Sequence, residues 1–156
     1  MRLHILTGGQ RIAQLLRLQR EDVHENYIVL RDPKGRRTEA RRHVVPLLDE
    51  AKTALAEFDG APAVFLVNKR PVSPETFHHL EVESIGASIR GFAPKRLRSG
   101  VETALASLGI SREVRAQLQS HGLGGVQDRH YDDHDYLAEK RAALQSLVDL
   151  LNAVEP

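Results

Sequence analysis

FAPKRLRSGVETALASLGISREVRAQLQSHGLGGVQDRHYDDHDY, residues 92 to 136, decides how the chain is read. Two helical patterns alternate in it with tight loops. Pro94 is well placed for the first position of a helix whose apolar residues Leu97, Val101, Ala104, Leu105 and Leu108 recur at three and four, and Gly109 ends it. Ser111 predicts the N-cap of a second helix with Val114 and Leu118 on a narrow apolar face, and this pattern fails at Gly122, Gly124 and Gly125. The polar residues are of a particular kind. Lys95, Arg96 and Arg98 share one turn, His121 precedes the glycines, and Arg129, His130 and Tyr131 stand together. Cations, an imidazole and a phenol at helix–loop junctions suit phosphodiester chemistry.

Displacement at phosphorus needs an attacking oxygen, donors for the equatorial oxygens and an acid for the departing oxygen. Tyr131 can supply the attacking oxygen once cations stabilise its anion, since a free phenol ionises only near about pH 10. Arg98 and Arg11 offer planar forks of N–H donors. The plainer reading of the same residues is a solvated helix face carrying Lys95 and Arg98, with Tyr131 a half-buried aromatic beside a turn.

Taken in order, these residues resemble the catalytic domain of the tyrosine recombinases, phage integrases in particular, over nearly the whole chain. The family's first arginine matches Arg11 in LTGGQRIAQLLRL, and its hairpin lysine matches Lys34 in DPKGRR. The second arginine matches Arg98 in PKRLR, the following histidine His121 in LQSHG, and the nucleophile Tyr131 in GVQDRHY. Spacings of 23 residues from Arg98 to His121 and 10 from His121 to Tyr131 make the order specific, where a lone Arg-x-x-Arg is weak. Two positions depart from the pattern. Lys95 stands where the family commonly has histidine, and Gln14 where an acidic residue often follows the first arginine. Lysine still donates to a phosphate oxygen, but it accepts a proton near neutrality only if its pKa falls by several units. Glutamine can orient Arg11 through its carbonyl oxygen without charge pairing.

The resemblance implies a site-specific recombinase in which Tyr131 forms a 3'-phosphotyrosyl link to double-stranded DNA, Arg11, Lys95, Arg98 and His121 hold the phosphate, and Lys34 acts as acid. It implies no metal or nucleotide cofactor. It also implies a tetramer of complete recombinases on DNA, with a possible homo-oligomeric contact through the C-terminal helix. The core-binding and arm-binding domains that precede the catalytic domain in the family have no counterpart in these residues, so residues 1–156 read as a single, partial catalytic domain. A type IB topoisomerase shares the chemistry. The reading from a different class is a non-catalytic remnant that binds DNA or a partner protein, favoured by Lys95, Gln14 and the missing clamp. A structural module using its terminal helix is a third.

Length and composition agree with one module. A chain of 156 residues buries roughly two thirds of its unfolded surface and normally makes one domain. Hydrophobic residues make up 41% and charged residues 28%, which argues against disorder throughout. There are no cysteines, which excludes disulfides and thiolate metal sites; with no apolar run of membrane-spanning length and no secretion signal, this favours the cytoplasm. The net charge of +1 says little, but its distribution says more. Residues 31 to 42 hold Arg31, Lys34, Arg36, Arg37, Arg41 and Arg42 against two acids, while the chain after Tyr131 is richer in acids. Arg36, Arg37, Arg41, Arg42, Arg96 and Arg129 are therefore the expected DNA contacts.

The remaining segments predict a mostly helical α+β fold with a small antiparallel sheet near the basic face. Residues 2 to 7 read as the end of a buried segment, and Gln10–Leu18 as a helix with Ile12, Leu15, Leu16 and Leu18 inward and Arg11 near its start. Tyr27–Leu30 and His43–Leu47 are the strands of a hairpin with Lys34 at or near its tip. Asp49 is expected to cap a helix carried by Ala51, Leu55 and Phe58 and ended by Asp59-Gly60; Ala63–Val67 is a short strand and Asn68–Pro71 a turn. Ser73-Pro74-Glu75 opens another helix, with Phe77, Leu80, Ile85 and Ile89 inward. His78 and His79 have no partner at ligand spacing; His130 and His134, four apart, are a conceivable zinc pair that the intervening aspartates and glycines argue against. Tyr136 precedes the terminal helix as an anchoring aromatic, and Leu137, Leu144, Val148 and Leu151 form that helix's stripe.

Overall fold

The computed structural model of the chain describes residues 1–32, 40–58, 60–86, 88–121 and 135–153. It is a helical body built on an antiparallel hairpin of six-residue strands, with a second hairpin of two-residue strands. Helix α1 (Arg2–Leu6) runs into a turn at Gly8 and Gly9, then a short α2 (Ile12–Leu15) and a 3-10 turn at Arg20–Asp22. Strands β1 (Tyr27–Asp32) and β2 (Arg41–Pro46) pair from Tyr27 opposite Pro46 to Asp32 opposite Arg41. Helix α3 (Asp49–Ala56), the two-residue strands β3 (Leu66–Val67) and β4 (Arg70–Pro71), and helices α4 (Pro74–Ile85), α5 (Lys95–Ser107), α6 (Arg112–Gln119) and α7 (Leu137–Ala153) follow.

The hairpin is sandwiched rather than exposed. Ile28, Val29 and Leu30 are all buried, so β1 contributes side chains to both faces and lacks the alternation of a half-solvated strand. Ile28 and Leu30 share one core with Leu15, Leu47, Val101, Leu105, Leu118, Leu144 and Leu147, drawn from α2, the loop after β2, α5, α6 and α7. Each such side chain contributes about 1.5–3 kcal/mol on burial. Arg31 leaves β1 toward solvent and is tied bidentately to buried Asp22, at 3.0 and 2.8 Å, so it braces the 3-10 turn.

Several helix ends form as their sequences predict. Ser73 accepts from the Thr76 amide with Pro74 at N1, Ser111 accepts from the Val114 amide, and Gly109 closes α5 at φ +77°. Others differ. Residues 2–6 are helical, and the expected Gln10–Leu18 helix contracts to Ile12–Leu15: at its start Gln10 turns its amide inward to backbone carbonyls, and at its end the Arg17 and Leu18 amides bond three residues back, to Gln14 and Leu15. Asp49 is the first residue of α3 and not its cap, and Phe58 lies beyond its end. Pro94 is the residue before α5, and Ser120 in a left-handed conformation stops α6 ahead of the glycines. Leu66–Val67 pairs with Arg70–Pro71 across Asn68 and Lys69, both at positive φ, while Ala63 makes only an isolated bridge to Gln19. Leu80, Ile89, Leu108 and Leu151, all expected inward, are exposed; Leu80 borders an open cavity, and Ile89 and Leu151 line another, so the elements beside them leave these side chains incompletely covered.

Candidate functional site

Glycine geometry at the end of α1 creates the site. Gly8 and Gly9 have φ of +85° and +68°, and their lack of side chains lets the loop lie directly on α5 and α6. A Cβ at Gly8 would meet Leu118 at 2.9 Å, and one at Gly9 would meet the Arg98 backbone at 3.1 Å. The loop therefore delivers Arg11, which precedes α2 with φ −64° and ψ 122°, to the neighbourhood of Arg98.

Arg98, in the first turn of α5, is half-buried and, among the described residues, is held by backbone carbonyls. Nη1 donates to the Gly9 carbonyl at 2.8 Å and Nη2 to the Gln119 carbonyl at 2.6 Å. Gln119 returns the contact: its Nε2 donates to the Gly8 carbonyl at 3.1 Å and to the Arg98 carbonyl at 3.2 Å. The loop, α5 and α6 are thus interlocked around one guanidinium. Burial first, and then the charge of Arg11, push the Arg98 pKa down to about 10, with Glu102 opposing. Glu102 is itself engaged by Arg115 at 2.8 Å. Two bonds to carbonyls fix the plane of the Arg98 fork and leave its other N–H groups for an anion. An arginine held beside another arginine, with its plane set by carbonyls, has the charge and the N–H geometry that an oxyanion requires.

A layer of buried polar side chains lies beneath. Gln10 donates to the Thr7 carbonyl at 2.6 Å and the Leu118 carbonyl at 2.9 Å, and its own carbonyl lies 2.8 Å from His4 Nε2. His43, on β2, has Nε2 3.1 Å from Gln10 Oε1 and 3.0 Å from the Leu118 carbonyl. Both partners are acceptors, so Nε2 carries the proton. Burial, reinforced by Lys140, Arg41 and Arg98, holds the His43 pKa down at about 3, and burial holds His4 at about 4. Both rings are neutral props. Lys140, on α7, is buried as well, with Nζ 3.2 Å from the Val44 carbonyl and 3.0 Å from the Asp135 carbonyl. Desolvation lowers its pKa to about 8.

Around this centre, His121 is exposed immediately after the α6 terminus, its amide donating to the Ala116 carbonyl at 2.9 Å. It follows Gln119, whose carbonyl holds Arg98, by two residues. Arg41 is half-buried and Arg42 exposed on β2; Lys95 and Arg96 are exposed at the start of α5. Gln14 is buried, but its Oε1 accepts no hydrogen bond, so it does not clamp Arg11 as its position in the sequence implied. Lys34, Arg36, Arg37, Arg129 and Tyr131 lie outside the described residues, as do His130 and His134. His78 and His79 are exposed on α4, and no cluster suited to a metal occurs among the described residues. No described helix is long and apolar enough to cross a membrane.

Tyr136 is the expected anchor: its hydroxyl donates to Glu113 of α6, while Ala143, Leu144, Leu147 and Val148 of α7 are buried in the chain's own core. The residues that sequence reasoning missed are Gln10, His43, Gln119 and Lys140. Only Lys140 carried a signal, since it stands in phase with Leu137, Leu144 and Leu147 on a core stripe where lysine is out of place.

No protein-family model and no curated protein matches the sequence. The fold, however, is shared with tyrosine recombinases of known structure. XerA recombinase is similar over 98% of this chain at a TM-score of 0.64 and 20% identity. The Tn1549 transposon integrase in complex with circular intermediate DNA is similar over 90% at 0.58 and 19%, and a second complex of that integrase over 92% at 0.58 and 16%. The chain spans 56%, 54% and 56% of those chains, in that order, so it corresponds to just over half of each.

Proposed function

We propose that the chain is the catalytic part of a site-specific DNA recombinase that breaks and rejoins double-stranded DNA through a 3'-phosphotyrosyl intermediate. The observation that carries this reading is the Arg98 guanidinium, oriented by the Gly9 and Gln119 carbonyls with the Arg11 charge alongside. In this reading the scissile phosphate sits against Arg11 and Arg98, with Lys95 and His121 at its edges. The phenol oxygen of Tyr131 attacks phosphorus as its proton passes to the imidazole of His121. The bond from phosphorus to the 5' oxygen breaks, and Lys34 protonates that oxygen. Resealing reverses the steps, with the covalent link storing the bond energy, so no cofactor takes part. Arg36, Arg37, Arg41, Arg42, Arg96 and Arg129 would contact backbone phosphates, which makes binding fall steeply with salt.

The test is covalent capture on a nicked suicide substrate, read on a denaturing gel. The parent chain should form an adduct, Tyr131→Phe should form none while still binding DNA, and Tyr136→Phe should still form one. Adduct formation that survives in Tyr131→Phe removes the assignment. The exposure of Lys95, in place of the family's histidine, favours one other reading, a DNA-binding remnant without catalysis. Salt-sensitive binding with no adduct from the parent, even after a recombinase N-terminal domain is supplied, would select it.

A further inference from the structure

Lysine is rarely buried without a carboxylate partner, and Lys140 is 4% exposed, its acceptors among the described residues being two backbone carbonyls. Those carbonyls come from two places that matter for the reaction proposed above. Val44 lies in β2, the strand that presents Arg41 and Arg42 and props the site through His43. A strand at the edge of a two-stranded sheet directs alternate carbonyls away from its partner, and the Val44 carbonyl is met by an ammonium. Asp135 is four residues after Tyr131 and opens α7, its carboxylate accepting from the Leu137 amide at 2.9 Å. Two further contacts fasten the same end: Tyr136 to Glu113, and Arg141 Nη2 to the Asn26 carbonyl at 3.0 Å.

We infer that Lys140 is a positioning residue for DNA cleavage, pinning Asp135, and so the end of the segment that carries Tyr131, to the β2 strand. The inference rests on the recombinase reading. A nucleophile needs a well-held position, since displacement by about 1 Å can lower a rate by about 100-fold. The groups facing the ammonium are Asp135 and Glu139 on its own side and Arg41 and His43 on the strand side. The charged form makes the stronger bonds to carbonyls, so the pin weakens as pH rises through about 8, where Lys140 loses its proton.

Lys140→Met and Lys140→Arg, made in the full chain, test this with two readouts. The first is amide hydrogen exchange at residues 135–137. Lys140→Met should exchange about 10-fold faster than the parent there and little faster in α5, whereas Lys140→Arg should stay close to the parent. The second is the rate of adduct formation on nicked duplex DNA between pH 7 and 9.5. Lys140→Met should fall by about 10- to 100-fold with DNA binding within about twofold of the parent. The ratio of Lys140→Arg to parent should rise above pH 8, because arginine stays charged. Unchanged exchange in Lys140→Met overturns the pin. Faster exchange with an unchanged adduct rate overturns its part in cleavage. A parent that forms no adduct removes the recombinase reading and the catalytic half of this inference, while exchange still decides whether the pin exists.

Discussion

The pole formed by the Gly8–Gly9 loop, β2, α5 and α6 and the pole formed by α4 with the β3–β4 hairpin are built on opposite principles. At the first, polar side chains are buried and nearly every one binds a backbone carbonyl: Arg98, Gln119, Gln10, His43 and Lys140. At the second, α4 buries only Glu81, whose two carboxylate oxygens have no hydrogen-bond partner, and exposes Leu80 and Val82. A cavity of about 320 Å³ lies there, lined by residues that include Leu15, Phe65, Phe77 and Glu81. Buried groups that satisfy backbone oxygens convert desolvation into rigidity, whereas a buried carboxylate without a donor only costs free energy. The rigid pole is the one that holds the proposed phosphate site.

Arg98→Ala should break that pole most severely. It removes the forked donor and leaves the Gly9 and Gln119 carbonyls unpaired, so adduct formation should fall by at least about 100-fold. Stability should fall by about 2–4 kcal/mol, read by urea denaturation. Arg98→Lys should recover part of the stability and little of the activity, since one ammonium cannot reach both carbonyls and present a planar fork. Equal recovery of both would show that charge alone is sufficient.

The poles should also answer pH with opposite signs. His4 and His43 are neutral in the folded chain, with pKa values lowered to about 4 and about 3, so their contribution is complete above about pH 6.5 and is lost as pH falls toward those values. The loss is at most about 1.4 kcal/mol per pH unit for each ring. His43→Gln, which keeps a donor for the Leu118 carbonyl, should flatten the acid limb of stability against pH. Glu81 behaves in reverse. Burial raises its pKa, so its contribution is greatest below about pH 4.5 and is lost as pH rises through the raised value. Glu81→Met should therefore leave the chain about 1 kcal/mol more stable at pH 7 and change nothing near pH 4. A loss of stability at pH 7 would show that the carboxylate has a stabilising partner.

How much of this could be read beforehand follows the same division. Ser73, Ser111 and Gly109 mark helix ends through local chemistry, and the β1–β2 hairpin and α7 announce themselves by pattern, so all were legible. Arg11, Arg98 and His121 were singled out by their order and spacing; the structure brings the Arg11 charge to Arg98, and His121 follows one of the Arg98 acceptors by two residues. Gln10, Gln119 and His43 were not, because a side chain that binds a distant carbonyl depends on an acceptor every residue possesses and leaves no partner to find. Leu80 and Ile89 were misjudged for a different reason: periodicity reports an apolar face, but not whether an element lies opposite it.

The smallest effect sharpens the contrast by keeping the chemistry constant. Leu118→Ala and Leu80→Ala delete the same atoms, one from a side chain with no exposure and the other from one 46% exposed. Leu118 meets the Gly8 turn, where a Cβ would lie 2.9 Å from it, so the cavity left behind adjoins the loop that delivers Arg11. Its loss should cost about 2–5 kcal/mol. Leu80 already has water on one side, and its neighbours around the cavity are incompletely packed, so truncation forfeits little transfer free energy and opens no new void. Leu80→Ala should stay within about 0.5 kcal/mol of the parent in chemical denaturation. A cost above about 2 kcal/mol would mean that α4 is covered in solution by a face these residues do not supply, and that the two poles are equally packed.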